Sequence, residues 1–434
     1  MDDILERAKK VADEAELYVV ASESTPIAFE TNRLKHIESR ESTVIALRIV
    51  KKGRIGYAVA TGTGSGERLV KDAVETAEYG QQAKFEFPKL TPYPVIDVFD
   101  PQVELVTLEH MVKLGEDLIS RIIASTPDIQ CAVSVNKGTA TVHIMNTRGG
   151  EVLYRSTDFG FGIEGTLVRD TDMLFVGDSE SSCHPLTNID KVATNVITQL
   201  ERAKETASIT TKTMPVIFTP DGVASALVMP LLSAFNGKTV FKGASPLAGR
   251  VGEKVFDTKL SLDDDATIPY RPASRPCDDE GISSQRTPLI GAGVVKNFLY
   301  DLQTAGLAGA KSTGNGARGR GSLPSPSPST FVFTPGDSNF DDMVRDIKEG
   351  LLIENLMGAE QGNILNGDFS GNVLLGFKIE NGKITGRVKN TMVAGNVYKM
   401  LADIAAVGYD IKWVGGFLST PSFYFPAVSV ATKG

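Results

Sequence analysis

The chain has 434 residues, 41% hydrophobic and 23% charged, with a formal net charge of −8, a composition that fits a globular protein of two or more domains with a sizeable core. The acidic balance argues against nucleic acid as the main partner, because DNA binding needs a basic face to displace counterions. Cys131, Cys183 and Cys277 are odd in number and far apart, which argues against a disulfide framework and fits a reducing compartment.

The opening "MDDILERAKKVADEAELYVV" has the spacing of a short amphipathic helix, with Ile4, Leu5, Ala8, Val11, Ala12 and Ala15 on one stripe. It lacks the charged-then-apolar design of a secretory signal. No run approaches the roughly 18 apolar residues of a membrane span, so a cytoplasmic location with no membrane partner is expected. Two strands are predicted next, "ELYVVASES" and "PIAFETN". A hairpin follows at Lys51-Lys52-Gly53, where two β-rich runs flank a turn. Leu69, Val70, Ala73, Val74 and Ala77 mark a second helix.

"FEFPKLTPYPVIDVFDPQ" carries four prolines in eighteen residues and reads as an extended connector. Leu108 to Ile123 carries a third helical stripe. From Ile129 to Val168 the pattern is an antiparallel meander with turn signals at Asn136-Lys137-Gly138 and Arg148-Gly149-Gly150. A fourth helix carries Val192, Ala193, Val196, Ile197, Leu200 and Ala203, with Thr187 and Asp190 as its expected N-terminal cap.

Composition shifts near residue 210, towards more Gly, Pro and short strands, and a domain boundary is placed there. The second half opens with a strand at Pro215–Phe218 and a helix whose first position is Pro220. Shorter helices are predicted near 340–349 and 395–405, and a hairpin at Asn381-Gly382. The fold class is α+β: residues 1–210 form a mixed domain of antiparallel sheet and amphipathic helices, and residues 211–434 a β-rich domain with mixed sheets.

Few motifs carry chemistry. No two of His36, His110, His143 and His184 lie within ten residues of each other, and Cys183-His184 project in different directions, so no local metal-ligand pair exists. Asp263-Asp264-Asp265 and Asp278-Asp279-Glu280 lack the alternating spacing and Gly of a calcium loop and read as solvated loops. In "GLAGAKSTGNGARGRG" Ala310 stands where the phosphate-loop pattern requires Gly, and no helix follows. That stretch reads instead as a mobile basic loop. Ser370 has no His near it in sequence.

The second half contains, in order, "KGASPLAGRVGEKV", "DDEGISSQRTPLIGAGVVKNFLYDLQTA", "KSTGNGARG", "SPSPSTFVFTPGD", "GLLIENLMGAEQGNILNGDFSGN", "FKIENGKI" and "NTMVAGNVYKML". This ordered set resembles the TldD/PmbA family, also called modulators of DNA gyrase, and the first half resembles it more loosely. The resemblance implies a heterodimeric zinc metallopeptidase acting on unfolded or flexible peptides in an enclosed chamber. In that family the TldD-like subunit carries H-E-x-x-x-H on a helix and a Cys near the C-terminus, which together hold zinc. The PmbA-like subunit, or TldE, lacks them.

Aligning "RVGEKV" on the "QVGELV"-like segment after the TldD motif places the first motif His at Val228, the Glu at Met229 and the second His at Ser233. None of these can bind zinc or serve as general base. "GFLSTPSFYFP" stands where the Cys would be, and no Cys follows Cys277. The pattern is that of the PmbA/TldE subunit. Two histidines five apart sit roughly 140° around a regular helix, so a shared metal needs a distorted turn; Pro230 is expected to keep that kink, with Leu227, Val228, Leu231 and Leu232 filling the vacated site as core.

The resemblance therefore implies no cofactor in this chain and zinc in a TldD-like catalytic partner, with a homodimer on the partner's surface when the chain is alone. Extended, unfolded peptides suit recognition by a sheet edge. Arg318 and Arg320 are the candidate peptide or partner contacts. Two alternatives remain open: a non-proteolytic protein-binding modulator of the gyrase-modulator kind, and an independent hydrolase with a site assembled from distant residues, for which His143 is a candidate.

Overall fold

The computed structural model describes residues 2–62 and 66–432; the side chains of Asp2 and Arg320 lie outside the described residues. The first half is built on one antiparallel sheet. Its strands are β1 (Glu14–Glu30), β2 (Arg33–Ile37), β3 (Arg40–Lys51), β4 (Arg54–Thr61), β5 (Gln130–Asn146), β6 (Glu151–Arg169) and β7 (Asp172–Ser182). They lie in the order β4-β3-β1-β5-β6-β7, with β2 paired to the far end of β1. Helices α1 (Asp2–Lys9) and α2 (Gly66–Ala77) cover one end of a face, where Leu17, Val19, Leu47 and Ile49 meet Leu5, Leu69 and Ala73. After a short helix α3 (Pro101–Leu105), α4 (Leu108–Ser125) and α5 (Asp190–Arg202) cover the other end, through Met111, Leu118, Ile122, Val192 and Val196.

The predicted pair of strands before residue 32 is one continuous strand. Pro26 does not break it, because the Pro26 carbonyl accepts from Glu38 N and its missing N–H faces the gap between β2 and β3. The hairpin at Lys52-Gly53 forms as expected, with φ of 50° and 72°. Asn136-Lys137-Gly138 is not a turn but lies inside β5. Asn136 Nδ2 donates to Asp158 at 2.8 Å, and a Cβ at Gly138 would stand 2.3 Å from Asp158 Oδ1. That glycine makes room for a cross-strand carboxylate. The α5 cap also differs: Asn188 Oδ1 accepts Asp190 N, and Thr187 plays no part.

The second half has two larger sheets. In one, β8 (Lys212–Phe218) is central, parallel to Glu349–Met357 and antiparallel to Phe423–Thr432. The sheet continues through Thr391–Asn396 to Asp368–Glu380, and this last strand pairs back to Glu349–Met357, so five strands close on themselves. The other sheet has six short strands, among them Leu262–Asp265, Phe331–Phe333, Leu418–Thr420 and Lys412–Val414. The two enclose one large core containing Phe218, Phe235, Phe331, Phe333, Phe423 and Phe425. The later helices are shorter than predicted, spanning Phe340–Arg345 and Val397–Leu401. The halves share apolar packing, since Leu352, Leu375 and Phe377 join the cluster formed by α4, α5 and the first sheet.

The acidic runs are not solvated loops. Asp264, Asp278 and Glu280 are buried, as are Asp263 and Asp279. Asp264 accepts from Asn315 Nδ2 at 2.6 Å and from the Ser329 N–H and hydroxyl at 2.7 and 2.8 Å. Asp278 accepts three backbone N–H groups, of Glu280, Ile282 and Gly316. Each run ties loops of the second half together through buried hydrogen bonds.

Candidate functional site

The helix opened by Thr219 breaks where the sequence predicts. Thr219 caps α6 (Pro220–Ala226), Leu227 at φ −102° and ψ −25° separates it from the next helix, and α7 (Val228–Phe235) follows directly. Pro230 has no N–H to give the Ala226 carbonyl, which removes the bond that would have carried the helix through. The Tyr398 hydroxyl donates to the Pro230 carbonyl at 3.1 Å and ties the break to the helix Val397–Leu401.

The vacated positions diverge. Val228 is buried beside Leu227 and Leu231, as expected of core. Met229 is not: it is 48% exposed, while Leu232 and Ser233 are half-buried. The reading of this site as wholly core is thus corrected, because the break turns Met229 outward. Strand Leu418–Thr420, from the segment expected to hold the Cys, packs against α6. Its side chains are Leu, Ser and Thr, and Ser422 just beyond is bonded to Asp410 at 2.5 Å. A valine, a methionine and a serine are not a zinc donor set. Among the described residues no group of three or more His, Cys, Asp or Glu side chains is arranged to hold a metal. The zinc implied by the family resemblance does not fit these residues.

Arg318 is not on a mobile surface loop. Its side chain is 1% exposed and ion-paired with Glu16 of β1. Its backbone N–H donates to Asp279, and its Nε to the Asp279 carbonyl. Arg48 completes this buried array, with Phe85 and Phe87 against its guanidinium at 4.6 and 5.0 Å. The Arg320 side chain, the other candidate contact, falls outside the described residues. His143 meets Glu151 at 2.9 Å across the hairpin of β5 and β6, and among the described residues no hydroxyl or thiol is bonded to it. Cys183 is buried, and the His184 ring stacks on Tyr270 instead of joining it.

The structure adds a feature that sequence reasoning missed. A cavity of about 730 Å³ lies between the first sheet and the second half. Its ionisable lining consists of Glu30, Glu164, Asp178, Asp221 and Glu354. Asp221 sits in the first turn of α6, so the same local design that opens the broken helix aims a carboxylate at the cavity. Lys412 spans the two halves, 2.6 Å from Asp178 and 2.7 Å from Asp221. Burial opposes its charge, but the two carboxylates outweigh burial and hold its pKa above the ordinary value. Burial pushes Asp221 and Glu354 up, with Lys412 and Arg202 respectively pulling them back. These partners are separated by 191 and 152 positions, and no spacing rule could have joined them.

Comparison with known proteins accords with this architecture. Residues 211–432 match the PmbA/TldA metallopeptidase C-terminal domain, and residues 15–77 match PmbA/TldA metallopeptidase domain 1. An uncharacterized protein of Methanocaldococcus jannaschii is 27% identical over 98% of both chains. The Metalloprotease PmbA homolog of Haemophilus influenzae is 25% identical over 94% of this chain and 90% of its own. The crystal structure of TldE from Thermococcus kodakarensis superposes with a TM-score of 0.89 at 23% identity, covering 99% of each chain.

Proposed function

This chain belongs to the PmbA/TldD metallopeptidase family, and we propose that within it the chain is a catalytically silent subunit of a two-subunit zinc peptidase acting on unfolded or flexible peptides. The observation that carries this reading is the helix break at Leu227–Pro230, retained with Val228, Met229 and Ser233 in the places where zinc-site residues are expected. None of the three can polarise a water or hold a metal. The helix is kept and its donors are missing, so the chemistry is assigned to an H-E-x-x-x-H partner. This chain contributes surface and a large cavity.

The test is cleavage of a reduced, alkylated protein by three samples: this chain, an H-E-x-x-x-H relative from the same genome, and the two mixed. Cleavage only in the mixture, or strongly raised in it, is the expected result. Cleavage by this chain alone would overturn the reading and point to an independent site. No change on mixing would remove the subunit role.

A further inference from the structure

We propose that a second, smaller cavity between the two halves binds a free α-amino acid as its zwitterion, held by Arg271 from the second half and Glu180 from the first. The cavity measures about 110 Å³ and lies beside the larger one, with Asp178 in the wall of both. It has room for a few waters or one molecule of that size, and so excludes a peptide segment. The inference stands apart from the subunit reading, because it concerns a ligand of the isolated chain.

The first observation is an ion pair left open. Asp178 and Glu180 are two apart on β7 and turn to the same face of the sheet. The second half sets a cation towards each. Lys412 closes on Asp178 at 2.6 Å, but Arg271, whose charge Glu180 favours, makes no ion pair with it. Among the described residues neither side chain has a hydrogen bond, and Arg271 Nε is enclosed without a partner. Both residues line the cavity. A half-buried guanidinium and a carboxylate left unjoined across one cavity are each short of a partner. A carboxylate on Arg271 and an ammonium on Glu180 would complete both, and an α-amino acid carries the two groups on one carbon.

The second observation is that the guanidinium is held in place without using its donors. Arg271 Cζ stacks over the Trp413 ring at 4.2 Å, which covers one face and leaves the N–H edge free. Its backbone is pinned as well. Tyr270, just before it, takes a left-handed φ of 57°, donates its N–H to the Asp97 carbonyl at 2.7 Å and accepts from Cys183 N at 3.1 Å and the Ser182 hydroxyl at 3.1 Å. The rest of the wall suits the same ligand. Lys191 and Val192 bring the first turn of α5 to the cavity, and the positive end of that helix favours the carboxylate group. Asp178 is already committed to Lys412 and to Asn195 Nδ2 at 2.6 Å, so Glu180 is the carboxylate of the described lining left for the ammonium. At Gly416 a Cβ would stand 2.9 Å from Ser181 Oγ; the halves meet there and close off the space.

Equilibrium dialysis of the isolated chain against radiolabelled alanine tests this, with unlabelled glycine and serine as competitors. One alanine should bind per chain. N-acetylalanine, which lacks the ammonium, and alaninamide, which lacks the carboxylate, should each bind about tenfold more weakly or worse. Arg271→Gln and Glu180→Gln should each weaken alanine by about tenfold or more, while Glu116→Gln, exposed on α4, should not. Neither cavity substitution removes a hydrogen bond of the folded chain, so both variants should melt like the wild type without ligand, which separates lost binding from lost folding. N-acetylalanine or acetate binding as tightly as alanine would overturn the inference, since only the Arg271 side would then be in use. So would indifference to either cavity substitution, or no binding by any of the three amino acids. Cleavage by mixed subunits is a separate readout, and it can succeed or fail whichever way this titration falls.

Discussion

Arg48 Nη1 lies 2.6 Å from Glu280 Oε1, joining the middle of β3 to a loop 232 positions later. The same guanidinium reaches Glu16 at 3.1 Å, and Glu16 also pairs with Arg318. All four side chains are almost wholly buried. Such an array is weak evidence for net stability, yet removing one member leaves buried charge without compensation. Arg48→Met should therefore cost about 3–5 kcal/mol in urea unfolding. Arg48→Lys should recover little, because one ammonium cannot serve two carboxylates in the geometry of a planar fork. A loss below about 1 kcal/mol for Arg48→Met would show that solvent reaches the array.

Pro230→Ala tests whether proline or packing holds the break between α6 and α7. In a regular helix interior, proline costs about 3 kcal/mol. Here Leu227, Val228 and Leu231 are buried on both sides of the bend, and Tyr398 is bonded to the Pro230 carbonyl. Tertiary contacts thus already fix the bend. The substitution should change stability by less than about 1 kcal/mol. A gain near 3 kcal/mol would mean that the helix straightens once the proline is gone.

What was legible in the sequence divides along physical lines. Helical stripes such as Leu69–Ala77 and turns such as Lys52-Gly53 and Asn381-Gly382 are local, and they form where periodicity and left-handed φ require them. The kink at Pro230 was legible for the same reason. Asn136-Lys137-Gly138 looked like a turn because its residues suit one; only the partner strand, with Asp158 against Gly138, shows why a glycine is needed there. The acidic runs and Arg318 were misplaced by a rule that sends charge to solvent. Their partners are Glu16, Arg48, Asn315 and Ser329, all remote in sequence. The cavity carboxylates escaped notice for the same reason.

Stability should carry an acid-side signature from the buried carboxyls. Burial pushes Asp264 up to about 6, and the hydrogen bonds from Asn315 and Ser329 only partly offset it. Its folded pKa lies above its unfolded one, so folding favours the protonated form. This contribution is whole below pH about 4 and is lost as pH rises through about 6. Asp278 acts in the same direction for the same cause. Asp264→Asn removes the titration, so wild type relative to that variant should be more stable at pH 4.5 than at pH 7, by on the order of 1–3 kcal/mol. Urea unfolding at both values checks it, and the opposite order would show that Asp264 is held charged in the folded state.

The three cysteines should be inert until the chain unfolds. Cys131, Cys183 and Cys277 are buried, and burial pushes the first two up to about 11 and about 12 and Cys277 further still. The reacting species is the thiolate. At pH 8 a disulfide reagent should therefore label native protein on the order of a hundredfold more slowly than protein in guanidinium, where three thiols react. A fast native phase of one equivalent would identify an accessible thiol and contradict the packing around it.

The zinc question has a direct answer in composition and a sharper one in reconstruction. Purified protein should hold well under one zinc per chain by elemental analysis, because Val228, Met229 and Ser233 offer no donor set. Restoring the motif by Val228→His, Met229→Glu and Ser233→His tests the rest. The third ligand would still be missing, since strand Leu418–Thr420 and its flanks hold serine and threonine hydroxyls, with Ser422 engaged by Asp410. Burial of Val228 adds a cost, as an imidazole there displaces a core side chain. The triple variant should bind zinc at least about a hundredfold more weakly than a complete three-ligand site and show no peptide cleavage alone. Cleavage by the triple variant would mean that the chain supplies the third ligand from another position, and stoichiometric zinc in the wild type would end the reading of this helix as vacated.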